Sequence, residues 1–329
     1  MLNHNLKLNP KIFNSDVVLK ATRDGFGEGL LDASIENDNI VGLTADLLES
    51  IKMNYFAEKF PSRFIDVGIA EQNLASVASG MAAMGKIPFI ASYAIFSPGR
   101  NWEQIRTTIC YNNQPVKIIG SHAGLSVGPD GGSHQMLEDI AITRVLPNMV
   151  VISPCDAIEA KKATIAISKT KNPTYLRCAR NNTPIITTNE TPFQIGKAQI
   201  VFHPEIGLSK VGIIATGPIL YNAIIAAKIL EKEGIKVKIM NLSTIKPLDI
   251  DAIVLLAKET NKIVTIEDHQ IIGGMGSAIA ECLSEYHPTR IEFIGVKDSY
   301  GQSGTPEELA KFYEIDTSSI IMKIKKILK

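Results

Sequence analysis

The stretch Arg63-Phe64-Ile65-Asp66-Val67-Gly68-Ile69-Ala70-Glu71-Gln72-Asn73 carries the decision about the fold. Arg63–Val67 predicts a short buried strand, and Ala70–Met84 a helix that begins at once behind it. A strand running straight into a helix is one half of a parallel α/β unit. Glu71 stands at the carboxyl end of that strand, where open α/β sheets bind ligands. Taken by itself, a carboxylate there is also what a helix dipole favours. The residues behind it, Ala75-Ser76-Val77-Ala78-Ser79-Gly80-Met81-Ala82-Ala83, are small, which points to close helix packing with the carboxylate at the edge of an interface.

Working outward, the same rhythm recurs. Asp16–Glu36 carries helical spacing, followed by strands at Ile40–Thr44, Ile87–Ala91, Val116–Gly120, Met149–Ile152 and Thr174–Leu176, with a helix over Ala157–Ile167. Arg180–Gln194 is mostly polar with two prolines and reads as a linker. The pattern then restarts: strands at Val211–Ala215, Val237–Met240, Ile263–Ile266 and Ile291–Val296, helices at Pro218–Lys232 and Ser318–Leu328, and a further helix opened by Gly273–Gly276. The expectation is an α/β protein of two domains, residues 1–190 and 191–329, each a mostly parallel sheet flanked by helices. The length of 329 residues fits two domains.

Composition narrows the function. Apolar residues make up 45% and charged residues 21%, and the net formal charge is zero, so no basic field exists to hold nucleic acid. The four cysteines form no CxxC pair and read as buried hydrophobes of a reducing compartment. No apolar run reaches the ~18 residues a membrane span needs, and no targeting segment is visible, so a cytoplasmic protein is expected.

Three more groups could carry chemistry. Ser92-Tyr93-Ala94-Ile95-Phe96 places two aromatics three apart after a strand, as a core pair or as partners of a flat ring. Gly120–Gln135 holds Gly124, Gly128, Gly131 and Gly132 together with His122, Asp130 and His134. Glycines let backbone approach a ligand, and histidine suits proton transfer near neutral pH. As a metal site the loop is poor, because no cysteine or carboxylate completes a ligand set. Arg23 and Arg180 are dispersed arginines, each a surface charge or a phosphate clamp. Gly273–Gly276 lacks the spacing of a dinucleotide loop and reads as tight helix–strand packing.

The Arg63–Asn73 run, the Gly120–Gln135 loop and Met136-Leu137-Glu138-Asp139, in this order, resemble transketolase. The likeness covers its pyrimidine-binding and C-terminal domains, from about Leu19 to the end. The family's pyrophosphate-binding domain, with its GDG…N metal motif, has no counterpart here. The resemblance therefore implies the C-terminal subunit of a split transketolase. An N-terminal subunit would hold Mg2+ (or Ca2+) and the diphosphate of thiamine diphosphate, and the family implies a heterotetramer. Residue by residue it implies that Glu71 binds the aminopyrimidine ring nitrogen, that Tyr93 and Phe96 flank the ring, and that Asp46 lies near the thiamine. Where some members carry a third aromatic, Gly99 stands here. Arg23, Ser50 and Arg180 match residues that hold a sugar phosphate, His122 and Asp130 contacts to substrate hydroxyls, and His134 a histidine near the cofactor. The implied reaction moves a two-carbon ketol unit between sugar phosphates in the pentose phosphate pathway. The β subunit of a 2-oxo-acid dehydrogenase shares the domains but not the GPDGGSHQ loop. A 1-deoxyxylulose-phosphate synthase shares the loop but is normally one long chain and usually lacks a histidine at position 122. A non-catalytic protein that kept the fold would have little reason to keep Glu71, His122 and Asp130.

Overall fold

A computed structural model describes all of residues 1–329. In chain order the first half contains β1 (Leu19–Lys20), α1 (Thr22–Glu36), β2 (Ile40–Thr44), α2 (Asn54–Lys59), β3 (Phe64–Asp66), α3 (Glu71–Ala83), β4 (Ile87–Tyr93) and α4 (Trp102–Gln104). A π-helical turn, Ile105–Cys110, continues α4; then come β5 (Lys117–Ser121), α5 (Asp139–Arg144), β6 (Val150–Ile152), α6 (Ala157–Ser168), β7 (Thr174–Arg177) and β8 (Thr183–Pro184). The second half contains β9 (Gln199–Phe202), β10 (Val211–Ala215), α7 (Leu220–Lys232), β11 (Val237–Asn241), β12 (Thr244–Lys246), α8 (Ile250–Thr260), β13 (Lys262–Gln270), α9 (Met275–Tyr286), β14 (Arg290–Val296), α10 (Pro306–Phe312) and α11 (Thr317–Leu328).

The first sheet has seven strands in the order β12-β6-β7-β5-β4-β2-β3, all parallel except β12, which runs antiparallel to β6. The second has five, β14-β13-β10-β11-β9, parallel except for β9. β2, β5 and β10 are buried along their whole length, as strands covered on both faces must be. Alternate residues feed opposite cores. Leu43, Ile90 and Ile118 meet Leu74 and Ala78 of α3, while Ile40, Phe89 and Ile119 meet Phe26 and Leu30 of α1 and Ala163 of α6. In the second sheet, Ile213 and Val264 face α7 and α11, whereas Ile214 and Ile263 face α8 and α9.

The two halves are laced together. β12 comes from the second half yet closes the edge of the first sheet. In return, Leu8 and Ile12 fill the core under α7, and Asn3 donates its backbone N–H to the Val201 carbonyl at 2.9 Å. The polar 180–194 stretch is anchored rather than loose: Thr183–Pro184 pairs with Leu19–Lys20. The Asp156 carboxylate accepts the Ile186 N–H at 2.7 Å and the Thr187 hydroxyl at 2.8 Å, and also the Thr187 N–H. No helix is long and apolar enough to cross a membrane.

Candidate active site

Between β3, β2 and β4 the chain order reverses: β3 lies on one side of β2 and β4 on the other. Ligands bind at the carboxyl ends of strands at such a switch point. There, β2 leads to Asp46 and Ser50, β3 to Glu71, β4 to Tyr93 and Phe96, β5 to His122 and β7 to Arg180.

Tyr93 and Phe96 lie nearly parallel, ring centroids 5.7 Å apart and planes 9° apart. His122 stacks on Tyr93 at 3.7 Å, and His134 meets Phe96 edge-on at 5.7 Å. The four rings form one half-buried platform. His122 adopts a left-handed backbone conformation (φ 56°), as does Asp46 (φ 60°). Such conformations in residues with side chains cluster at functional sites. Around the His122 ring, Nδ1 lies 2.9 Å from the Ser121 hydroxyl and Nε2 lies 3.4 Å from Arg23 Nη1. Arginine can only donate, so this network places the proton on Nδ1 and leaves Nε2 the acceptor. Burial, above all, and then the charges of Arg23 and Arg180 and His134 push the imidazole down to about 3, so the ring is neutral near pH 7. Arg23 also donates to the Ser50 carbonyl at 2.7 Å, and its Nε is buried without a partner. Arg180 donates to the Val127 carbonyl at 2.7 Å and so steadies the loop that follows His122.

Glu71 opens α3 and is only 5% exposed. Its Oε1 lies 3.2 Å from Arg100 Nη1, and its backbone carbonyl accepts from Asn101 Nδ2 at 2.9 Å. Arg100 also lies over the Phe96 ring, 4.2 Å from the centroid, and so links Glu71 to the platform. Arg23, Ser50, Tyr93, Phe96, His122 and His134 thus form one contiguous group, joined to Glu71 by Arg100. Asp46 and Asp130 are exposed and make no side-chain hydrogen bond to it. Asp46 is held from beneath, its N–H donating at 3.0 Å to Asp66 Oδ1, which also accepts from Gly68 N at 2.9 Å.

The glycines of the 124–132 loop let it lie against the second domain. A Cβ on Gly124 would stand 2.2 Å from Asp268 Oδ2, and one on Gly132 2.5 Å from the Gly301 carbonyl. Behind this loop a buried polar cluster pins the halves together. Asp139 accepts from Arg177 at 2.8 Å and from the Tyr175 hydroxyl at 2.6 Å, Arg177 donates to the Asp268 carbonyl at 2.8 Å, and His269 Nε2 accepts the Ile140 N–H at 3.1 Å. At Gly273–Gly276 the N–H groups of Met275 and Gly276 are taken by the buried Glu267 carboxylate, at 2.7 and 2.8 Å, so that helix start is already capped from within.

Arg100, Asn101, Asp66 and the Asp139–Arg177–His269 cluster escape a sequence reading. Read one at a time, such polar residues look like surface, and their partners lie on other elements of the fold.

The platform and carboxylate fit a flat heteroaromatic cofactor. The rings supply a face, Glu71 supplies an acceptor at its edge, and the buried Ser92 hydroxyl and Arg23 Nε hold polar capacity unused by the chain. No group of three or more His, Cys, Asp or Glu side chains is arranged to hold a metal ion.

Fold and site together define a two-domain α/β protein with an aromatic platform and a buried carboxylate at the carboxyl edge of its first sheet. Residues 19–185 match the transketolase pyrimidine-binding domain and 205–320 the transketolase C-terminal domain, so the chain belongs to the transketolase family, which uses thiamine diphosphate. It corresponds to the C-terminal subunit of the family's split members. It is 42% identical over 315 residues to a Methanocaldococcus jannaschii chain named as a transketolase C-terminal section, covering 95% of this chain and 98% of that one. It is 36% identical over 299 residues to the 6-deoxy-6-sulfo-D-fructose transketolase subunit of a Clostridium species, covering 91% and 92%. Among solved structures, a split-gene transketolase captured as an inactive β4 tetramer superposes with a TM-score of 0.86 at 40% identity, covering 94% and 98%. Human transketolase is 33% identical over 310 residues, and the match spans 49% of it. The dehydrogenase and synthase alternatives are not favoured.

Proposed function

We propose that this subunit completes a two-chain transketolase that transfers a two-carbon ketol unit from a ketose phosphate to an aldose phosphate. The observation that carries the reading is the nearly buried Glu71 carboxylate, joined through Arg100 to the parallel Tyr93–Phe96 platform. Thiamine diphosphate, when bound, supplies the carbanion stabilisation that allows the bond beside a carbonyl to break. Glu71 holds a proton at the aminopyrimidine nitrogen, and Tyr93 and Phe96 orient the ring. Asp46 borders the thiamine side. Arg23, Arg180 and Ser50 bind the sugar phosphate, which positions the reacting carbon from a distance. His122, neutral with Nε2 as its acceptor nitrogen beside Arg23, takes up hydroxyl protons together with His134, and Asp130 orients a substrate hydroxyl. The partner subunit holds Mg2+ (or Ca2+) and the diphosphate, in an assembly of two copies of each chain. A cytoplasmic place in the pentose phosphate pathway goes with this reading, although relatives named for sulfofructose and apulose phosphate act on other sugars.

The test mixes this chain with a partner carrying the GDG…N motif, thiamine diphosphate, Mg2+, xylulose 5-phosphate and ribose 5-phosphate. Formation of the two-carbon transfer products supports the proposal. Failure with these sugars, together with decarboxylation of pyruvate by the same mixture, refutes it.

A further inference from the structure

Arg100 is the residue of the site that the mechanism leaves without a task, and its placement is specific. Its guanidinium uses the two features an aminopyrimidine ring would use: the face of Phe96, at 4.2 Å from the centroid, and Oε1 of Glu71, at 3.2 Å. A guanidinium is flat, cationic and rich in N–H donors, and so mimics the edge and face of such a ring. We infer that Arg100 occupies the cofactor ring's slot in the unloaded chain and must swing out for the ring to bind, an inference that rests on the cofactor reading above.

The backbone beneath Arg100 is fixed, so the side chain alone has to move. Arg100 N–H donates to the Phe96 carbonyl at 2.8 Å, and Gly99 N–H to that of Ala94 at 3.2 Å. Asn101 Nδ2 holds both the Glu71 carbonyl, at 2.9 Å, and the Ser97 hydroxyl, at 3.1 Å. A Cβ on Gly99 would stand 1.9 Å from the Ile95 carbonyl, so this turn has no room for a third aromatic wall at that position. The side chain itself is free to leave, being 52% exposed while Glu71 is 6%. Until the ring arrives, the guanidinium satisfies a carboxylate that would otherwise be buried with no partner. The arrangement also lowers apparent affinity, because a ligand binds only the fraction of sites whose slot is open.

The experiment measures thiamine diphosphate binding, with Mg2+, to the two-chain complex by titration calorimetry, for wild type and Arg100→Ala. A slot filled about nine-tenths of the time predicts that Arg100→Ala binds roughly tenfold more tightly. Equal or weaker binding by the variant overturns the inference while leaving the cofactor reading in place. Absence of binding by the wild-type complex sinks that reading and the inference with it. If the variant fails to assemble, the wild-type complex solved with and without thiamine diphosphate decides: a guanidinium moved off the Phe96 face on loading supports displacement, and one that stays there excludes it.

Discussion

Replacing His122 by asparagine tests the electrostatics of the site without needing the partner chain. Asparagine tolerates the left-handed backbone at this position and does not titrate. The native imidazole is held down to about 3, against about 6.5 when unfolded. Its native form is therefore neutral in a range where the unfolded form charges. A depressed histidine gives stability that is intact above the unfolded value and lost as pH falls toward the folded one. From about pH 7 to about pH 5 the linkage amounts to about 2 kcal/mol. His269 titrates with the same sign and Glu267 with the opposite one, but both remain in the variant and cancel in the difference. Urea denaturation, followed by the fluorescence of the single tryptophan, Trp102, at one fixed chain concentration, gives the two stabilities at each pH. The wild type should lose about 2 kcal/mol more than His122→Asn between the two pH values. A gap between the proteins that stays constant to within about 0.5 kcal/mol would refute the reasoning, since lost stacking and hydrogen bonding do not depend on pH there.

Glu71→Ala should leave the chain folded, because it breaks only a half-exposed ion pair worth about 1 kcal/mol or less, and should lower turnover of the assembled enzyme at least about 100-fold; near-native turnover in a well-assembled variant would remove its role. The chain alone should show no sugar transfer and weak thiamine diphosphate binding in calorimetry, with activity appearing on addition of the partner. Asp139→Ala strands Arg177 in the core and should cost about 3–5 kcal/mol in urea denaturation. Gly124→Ala forces a side chain to φ 81° against the Asp268 carboxylate and should destabilise by more than about 2 kcal/mol, read in the same way.

The rhythm of strands and helices was legible because parallel strands buried on both faces are short continuous apolar runs: Ile40–Thr44 and Val211–Ala215 appear as the sequence reads. Boundaries suffered where the signal was mixed. β13 runs on to Gln270 through Glu267, Asp268 and His269, polar residues that the interdomain cluster keeps in the strand. Helix α8 and strand β12 were not anticipated, and no periodicity along the chain could say that β12 joins the first sheet. In the site, Tyr93, Phe96, His122 and His134 could be picked out from aromatic spacing and the glycine loop. Their partners could not, because Arg100 and Ser121 act through distances between elements that sequence does not encode locally.

The exchange of β12 for the amino-terminal segment has a practical side. Cutting near residue 190 would leave β6 with a bare hydrogen-bonding edge, and would deprive the second half of Leu8 and Ile12 beneath α7. Chimeras built by swapping one half between relatives must carry the crossing pieces along, or accept a sticky, half-filled product.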